Sequence, residues 1–426
     1  MDLLVKAVKV VDSRSPLHGK VLDLLIQDGK IAKFGSELSL NGVQTVEEDG
    51  LCCSVGWFDL NAFSGEPGYE HRETLDRLVK AAAFGGFTEV ACLPNLAPVT
   101  ETRSAVQFLK NSSNGRAVTL HPLAAVTHHL QGNDLAELVD LHESGAIAFT
   151  DGIEAIQQAD TILKALEYLK LFNGVLINKA ENKRLANAGQ MHEGVASTRL
   201  GLKGIPAIAE ETQVTRDLQL VSYTGGRLHF SQLSTAGAIE AVRAAKKQGL
   251  QVTCDVASYQ CAFTDETLLP FDTNYKVSPP FRGEADKEAL LQAMQDGTID
   301  ALVSAHMPWD VEAKELEFDL AEAGIINLQT AFAVALQTTR PQIELARVVE
   351  MLTIAPRKVV NLASPALEEG AKANLTFFHP EKKWNFTEEL NASLSRNSPF
   401  LKEELEGCVY GTYHNGQLTL NPAYAQ

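Results

Sequence analysis

Residues 54–95, SVGWFDLNAFSGEPGYEHRETLDRLVKAAAFGGFTEVACLPN, indicate the architecture of the chain because they read as strand, loop, helix and strand. The apolar run at 55–60 predicts a first strand, and 88–93 predicts a second. Between them, apolar residues at helical spacing predict a helix over 72–84. A strand, a crossover helix and a parallel strand form one βα repeat. The stretch therefore predicts an α/β fold with a parallel sheet.

The same alternation continues through the middle of the chain, where about eight strand-like segments are followed by helical segments, the count of a (β/α)8 barrel. In this architecture, the loops after the strands form the functional face. We predict a TIM barrel over residues 54–361.

The two ends of the chain have a different pattern, with short strand-like segments and few helical ones. A strong hairpin signal occurs in each end, Asp-Gly at 28–29 and Asn-Gly at 415–416. A unit as short as residues 1–53 has little core of its own and needs further strands. We therefore predict a small β-sandwich domain built from both chain termini, residues 1–53 plus 362–426.

Composition excludes some classes of function. The formal net charge of −17 argues against binding to nucleic acid or to an anionic membrane surface, because phosphate would be repelled. We find no signal peptide and no run of about 18 apolar residues that could span a bilayer. The six cysteines form no CxxC pair, which is typical of reduced core cysteines. We expect a cytoplasmic protein.

The ends of the predicted barrel strands carry few groups that bind metal. A catalytic zinc site needs about three ligands from His, Cys, Asp or Glu, and an open position. The strand ends supply Asp59, Asp151 and His306, and the eleven histidines include no HxH and no HExxH pattern. The residues themselves therefore disfavour a dinuclear metal hydrolase.

A family resemblance begins at residues 59–68, DLNAFSGEPG. This segment resembles the first-strand motif of dihydroorotases, Asp-x-His-x-His-x-Arg-Glu-Pro-Gly. Dihydroorotases are cyclic amidases of the amidohydrolase superfamily. The resemblance covers nearly the whole chain and implies the fold predicted above. Further matching motifs are MHEG at 191–194, LGLKGIP at 200–206, KVSPP at 276–280 and SRN at 395–397.

The resemblance implies that the metal ligands of the family are replaced in this chain. Asn61 and Phe63 stand where the first strand of a dihydroorotase has its two metal-binding histidines. Lys179 and Gln232 occupy the positions of the histidines on the fifth and sixth strands. Ala305 replaces the aspartate of the eighth strand, which binds metal and acts as the general base in the family. The family uses zinc, and we expect none here.

The substrate-binding positions implied by the resemblance are also changed. Gly65 and Ser278 replace an arginine and an asparagine, and only Asn95 keeps a substrate-binding identity. Asp151 alone fits an acidic metal ligand. We hypothesise that Lys179 and Asp151 form an ion pair in place of the metal cluster; the alternative is that Lys179 reaches solvent.

These replacements indicate a dihydroorotase-family protein of de novo pyrimidine biosynthesis that is catalytically inactive. Inactive homologues in some bacteria hold aspartate carbamoyltransferase in a joint assembly, so we expect a structural or regulatory subunit of this kind, with a homodimer as its minimal state. Two alternatives stay open. One is an active dihydroorotase or cyclic amidohydrolase that hydrolyses a C–N bond of a cyclic amide with an atypical site. The other is a small-molecule binding module that kept the pocket without the chemistry.

Overall fold

The computed structural model describes residues 2–425. The strands in this range are β1 (Leu3–Val10), β2 (Val21–Gln27), β3 (Lys30–Gly35), β4 (Gln44–Glu47), β5 (Cys52–Val55), β6 (Trp57–Ala62), β7 (Phe87–Cys92), β8 (Thr119–Ala124), β9 (Ala148–Phe149), β10 (Leu176–Lys179), β11 (Met191–His192), β12 (Gly204–Ile205), β13 (Leu228–Ser231), β14 (Val252–Ala257), β15 (Ala301–Val303), β16 (Leu375–Asn385), β17 (Glu404–His414) and β18 (Gln417–Leu420).

The α-helices in the same range are α1 (Leu75–Phe84), α2 (Arg103–Ser112), α3 (Leu138–Ser144), α4 (Ala159–Leu169), α5 (Lys183–Ala186), α6 (Val195–Leu200), α7 (Ile208–Thr224), α8 (Ala236–Lys247), α9 (Glu284–Asp296), α10 (Val311–Lys314), α11 (Ala331–Thr339) and α12 (Leu345–Val359). Short 3-10 helices occur at His128–Leu130, Lys170–Phe172, Ser258–Cys261, Asp265–Leu268, Thr273–Tyr275 and Pro422–Ala425. No helix among residues 2–425 has both the length and the apolar character to cross a lipid bilayer.

The two ends of the chain meet in one sheet. Its strand order is β18-β17-β16-β5-β1-β2-β3, and β4 pairs with β1. The C-terminal part joins the N-terminal part where β16 runs antiparallel to β5, with Leu375 opposite Val55. Both residues are buried in a cluster that also contains Leu3 and Ile26. The prediction of a β domain formed by both termini is therefore confirmed.

The middle of the chain forms a parallel barrel in the order β15-β14-β13-β10-β9-β8-β7-β6. Closure between the last and the first strand is made partly by side chains. Ser304 donates to Asp59 from its backbone nitrogen (2.7 Å to Oδ1) and from Oγ (2.5 Å to Oδ2). The backbone nitrogen of Phe63 donates to the carbonyl oxygen of His306 at 2.9 Å. The predicted (β/α)8 barrel is confirmed.

Two parts of the fold had no clear sequence signal. Strand β4 buries only Val46, so it has too few apolar residues to show an alternating pattern. Helix α11 is buried on nearly all sides, which removes the polar face that marks an amphipathic helix.

Candidate functional site

A cavity of about 180 Å³ lies at the C-terminal ends of the barrel strands. It brings together five of the positions singled out from the sequence: Asn61, Lys179, Gln232, Ser278 and Ala305. Further walls come from loops that follow the strands, and these include Tyr259, Met307, Trp309 and Glu322. Parallel strands place their C-terminal ends at one edge of the sheet, so residues far apart in sequence converge here.

Two residues of this cavity have an unusual backbone conformation. Gln232 follows β13 with φ of 58°, and Ala305 lies after β15 with φ of 48°. Left-handed conformations are uncommon for residues other than glycine, and they cluster at functional sites. Both residues therefore leave their barrel strand through a left-handed backbone conformation.

Lys179 does not pair with Asp151, so the hypothesis of an ion pair between them is wrong. The Lys179 ammonium donates to Ser278 Oγ at 2.8 Å and lies 3.6 Å from Glu181 Oε2. The alternative, a lysine that simply reaches solvent, also describes it poorly, because its side chain is only 17% exposed. Lys179 holds its positive charge inside the mouth of the barrel.

Asp151 faces the backbone of a neighbouring loop instead. Its Oδ1 accepts from the backbone nitrogens of Val126 and Thr127 at 3.0 Å each, and its Oδ2 accepts from Thr127 Oγ1 at 2.5 Å. Burial raises the pKa of this carboxyl group, although these hydrogen bonds act in the opposite direction. The loop thus supplies the donors that a lysine would have supplied, and Asp151 stabilises the loop.

Asn61 belongs to a polar network that extends into the barrel. Its Nδ2 donates to Ser231 Oγ at 3.0 Å, and Ser231 Oγ donates to Asp255 Oδ2 at 3.4 Å. Asp255 Oδ2 also lies 2.8 Å from His229 Nε2. Our sequence analysis missed His229, Ser231 and Asp255 as a group. The only sequence signal for this group is that His229 and Ser231 are two residues apart in β13, so their side chains lie on the same face of the strand.

Phe63 does not line the cavity. Its ring is buried, and the guanidinium carbon of Arg72 lies 4.0 Å from the ring centroid. The guanidinium carbon also lies 3.4 Å from the ring centroid of Trp309, and Arg72 Nε donates to the carbonyl oxygen of Pro308 at 2.9 Å. Burial lowers the pKa of Arg72 to about 10. Sequence reasoning missed Arg72, which lies in an irregular loop.

The remaining two positions are also held outside the cavity. Gly65 has φ of +74°, and a Cβ atom on it would lie 2.2 Å from the carbonyl oxygen of Glu73. An arginine cannot occupy this backbone position without a local rearrangement. Asn95 donates to the carbonyl oxygen of Asp151 at 3.1 Å and accepts from the backbone nitrogen of Ile153 at 3.3 Å. It therefore holds the loop after β9 in place.

The residues at the barrel mouth do not fit the zinc site that the family resemblance implies. Among residues 2–425, no group of three or more His, Cys, Asp or Glu side chains is placed to hold a metal ion. Ala305 has no donor atom, and Lys179 places a cation where a divalent cation would need anionic or neutral ligands.

Comparisons with known proteins identify the family. A family model described as Dihydro-orotase-like matches residues 53–238. The chain is 38% identical over 425 residues to a protein named Dihydroorotase from Pelotomaculum thermopropionicum, with 99% of each chain covered. This chain belongs to the dihydroorotase family. A second family member, named Dihydroorotase from Syntrophus aciditrophicus, is 37% identical over 427 residues, covering 98% of this chain and 99% of its own.

Solved structures show the same fold. The L-hydantoinase (dihydropyrimidinase) of Arthrobacter aurescens superposes with a TM-score of 0.87 at 21% identity, covering 99% of this chain and 96% of its own. A dihydropyrimidinase from Brevibacillus agri superposes with a TM-score of 0.82 at 18% identity, covering 99% and 95%. The barrel with a β domain from both termini is therefore an architecture that this dihydroorotase-family chain shares with those proteins.

Proposed function

We propose that this dihydroorotase-family protein is a non-catalytic, cytoplasmic subunit of de novo pyrimidine biosynthesis that acts structurally or as a regulator in an assembly with aspartate carbamoyltransferase. The observation that carries the proposal is the position of Lys179 in the cavity, hydrogen-bonded to Ser278 at 2.8 Å. Both residues stand at positions where, by resemblance, the family has groups that serve metal or substrate.

The chemistry of amide hydrolysis supports this proposal. Without a strong nucleophile, an amide carbonyl must be polarised and a water molecule must lose a proton at neutral pH. A general base must also lie within hydrogen-bonding reach of that water. Ala305 offers a methyl group at the position of the base, and the buried carboxylate of Asp255 is already bonded to His229, Ser231 and the backbone of Gln232. The position of the family's base and the network around Asp255 thus supply no free base, and the carboxylate that lines the cavity, Glu322, lies at its exposed rim.

A second candidate function is an active dihydroorotase or cyclic amidohydrolase with an atypical site. Two observations favour it. Relatives with 37% to 38% identity carry the name Dihydroorotase. The pair of Lys179 and Ser278 also places an amine beside a hydroxyl, which is the arrangement of serine–lysine acyl transferases. Against this role, Lys179 Nζ donates to Ser278 Oγ instead of accepting from it, and it also lies 3.6 Å from the carboxylate of Glu181.

Turnover and metal content decide between the two functions. Protein purified without chelators is analysed for zinc by mass spectrometry and assayed with dihydroorotate and carbamoyl aspartate, before and after addition of stoichiometric zinc. The purified Pelotomaculum relative serves as the positive control. We expect no bound zinc and no turnover. Zinc-dependent turnover would overturn the proposal, and metal-free turnover that Ser278→Ala abolishes would establish the second candidate.

The partner is tested separately with purified aspartate carbamoyltransferase from the same genome. Light scattering after size exclusion is expected to give a dimer for this chain alone and a larger complex, of defined stoichiometry, for the mixture. Independent elution of the two proteins at micromolar concentration would contradict the assembly and leave the catalytic question to the assay above.

A further inference from the structure

A groove of about 510 Å³ adjoins the cavity at the barrel mouth. Residues 319–323 line one part of it, and residues between 181 and 190 line another. The groove shares Lys179, Ser278 and Glu322 with the cavity, so the two spaces are neighbours. Clefts of about 300–1,000 Å³ are typical of ligand-binding sites. The groove therefore has room for a ligand larger than the 180 Å³ cavity can hold.

Two apolar side chains of this groove are exposed to solvent. Leu320 is 63% exposed and Ile153 is 40% exposed, and both line the groove. Single exposed apolar side chains are ordinary, whereas apolar side chains that share a cleft are typical of interaction sites. A partner that covers them removes apolar surface from water, which is favourable. The groove therefore offers apolar contacts to whatever binds in it.

The charged side chains of the groove leave negative charge unpaired. Lys183 forms an ion pair with Glu154, and Lys179 is engaged as described above. The carboxylates of Asp319 and Glu322 also line the groove, and both residues are exposed. Neither of these two forms an ion pair with any of residues 2–425. The groove therefore presents two carboxylates that a cation from outside the chain can reach.

The segment 310–324 extends this negative charge along the rim. It contains six acidic residues and one lysine, Lys314, which is buried. Lys314 Nζ donates to two backbone carbonyl oxygens of the segment, at 2.8 and 3.3 Å, and Lys276 Nζ donates to two more, at 2.7 and 3.2 Å. Both ammonium groups thus bind backbone beneath the surface, while the carboxylates of the segment face solvent. A surface of this kind attracts cationic partners and repels nucleic acid and anionic lipid.

We propose that this groove binds a basic segment of a protein partner. Arginine or lysine side chains of the segment pair with Asp319 and Glu322, and its apolar side chains pack against Leu320 and Ile153. This inference rests on the proposed function, because the mouth of a non-catalytic barrel can be covered by a partner without excluding a substrate. A free polyamine has the same charge as the segment but no apolar side chains, so it would use only half of the contacts that the groove offers.

Four probes test the chemistry of the partner by calorimetric titration of the full-length protein at low salt. The first is the peptide Ac-GLRGLRG-NH2, for which we expect a Kd on the order of 100 μM that weakens in about 500 mM salt. The peptide Ac-GGRGGRG-NH2 lacks the apolar side chains, Ac-GLEGLEG-NH2 reverses the charge, and spermidine carries charge alone. All three are expected to bind at least roughly fivefold more weakly. Spermidine or Ac-GGRGGRG-NH2 that binds as tightly as the first peptide, or no binding of the first peptide, would overturn the proposal.

A pair of double variants locates the charges that bind the peptide. Asp319→Asn with Glu322→Gln removes the two carboxylates of the groove and keeps the size of both side chains, and it is expected to weaken binding by roughly fivefold. The control is Glu48→Gln with Asp49→Asn, which changes the net charge equally at two exposed residues outside the groove. It is expected to leave the Kd within about twofold, because distant surface charges are screened by salt. Equal weakening by both double variants would mean attraction to the acidic protein as a whole and would overturn the site.

A second pair of variants tests the apolar contact. Leu320→Ser removes the apolar side chain from the groove and is expected to weaken peptide binding by roughly fivefold. Leu171→Ser, at a leucine that is 74% exposed outside the groove, is the control and is expected to leave the Kd unchanged. Melting temperatures establish that both variants fold. A folded Leu320→Ser variant that binds as well as the parent protein would overturn the docking of a segment in this groove.

Size exclusion with aspartate carbamoyltransferase separates this inference from the proposed function. A complex that the parent protein forms and the Asp319→Asn, Glu322→Gln variant does not form would support both. A complex that this variant forms as well as the parent protein would overturn the groove as the docking site while the subunit role stands. Zinc-dependent turnover of dihydroorotate would overturn the subunit role, whatever the peptide titrations show.

Discussion

The guanidinium carbon of Arg72 lies 4.0 Å from the ring centroid of Phe63. By resemblance, Phe63 stands at the position of a metal-binding histidine of dihydroorotases. The same guanidinium carbon lies 3.4 Å from the ring centroid of Trp309. The two rings enclose a cation, so an aromatic and cationic stack replaces a ligand at this end of the first strand.

Truncation of the ring is expected to destabilise the protein. Phe63→Ala removes a fully buried ring and one half of the stack around Arg72, which together correspond to about 3–5 kcal/mol. The measurement is the midpoint of urea unfolding followed by circular dichroism. Phe108→Ala, at a phenylalanine that is 43% exposed on α2, is the matched control and is expected to shift the midpoint far less. Similar shifts for both variants would contradict the stack as a stabilising element.

Gly65 is expected to tolerate no side chain. A Cβ there would lie 2.2 Å from a backbone oxygen, at φ of +74°. Gly249 has a similar φ of +80° but open space around it, so it isolates the effect of backbone conformation. We expect Gly249→Ala to cost about 1 kcal/mol and Gly65→Ala at least about 3 kcal/mol, seen as a much lower melting temperature. If the two variants melt alike, the backbone at Gly65 is free to adjust and could accept an arginine.

The sequence predicted those features that follow from strand geometry. The hairpin of β2 and β3 follows from the Asp-Gly turn at 28–29 between them. The convergence of Asn61, Lys179 and Gln232 follows because parallel strands end at one edge of a barrel.

What the sequence did not predict depends on loop conformation. Asp151 is satisfied by backbone nitrogens of residues 126–127, and no residue pattern shows where a loop presents its N–H groups. Arg72 was placed at the start of the helix predicted over 72–84, but α1 begins at Leu75, so Arg72 lies in the loop between β6 and α1. The partner of Lys179 was therefore predicted incorrectly, and Arg72 was missed.

The closure of the barrel by Asp59 and Ser304 is expected to depend on pH. Burial raises the pKa of Asp59 to about 7, above the value near 3.8 that a free aspartate has. A carboxyl group whose pKa is raised by folding stabilises the protein below its unfolded pKa, and this stability is lost as the pH rises through about 7. Between about pH 4 and pH 7 the loss approaches about 1.4 kcal/mol per pH unit.

Asp59→Asn tests this dependence because the amide resembles the protonated carboxyl group. Its oxygen can accept from the Ser304 backbone nitrogen and its NH2 group can donate to Ser304 Oγ. We expect the melting temperature of the variant, relative to the parent protein, to rise between pH 5 and pH 8. Asp160→Asn, at an exposed helix position with a lowered pKa, is expected to show no such trend. A pH-independent difference for Asp59→Asn would contradict the raised pKa.

The buried residue Lys314 binds the segment 322–324, which forms part of the rim of the cavity. Lys314 Nζ donates to the carbonyl oxygens of Glu322 (2.8 Å) and Gly324 (3.3 Å), and burial lowers the pKa of this group to about 8. Lys314→Met keeps the length of the side chain but leaves both carbonyl oxygens without their donor. We expect faster amide hydrogen exchange in residues 315–324, measured by mass spectrometry, with exchange in the barrel strands unchanged.

The same lysine gives that rim a dependence on pH. A lysine whose pKa is lowered in the folded state contributes stability that is present above its unfolded pKa near 10.5 and is lost as the pH falls through about 8. The neutral amine still has two hydrogens for its two carbonyl partners, so the contacts persist at high pH. The melting temperature of the parent protein relative to Lys314→Met is therefore expected to rise from pH 8 to pH 10. Lys164→Met, which removes an exposed lysine paired with Asp160 on α4, is the control and is expected to show no comparable rise, since its side chain is 58% exposed. A flat difference for Lys314→Met would contradict the lowered pKa of Lys314 and leave its two hydrogen bonds to the rim to be judged by the hydrogen exchange.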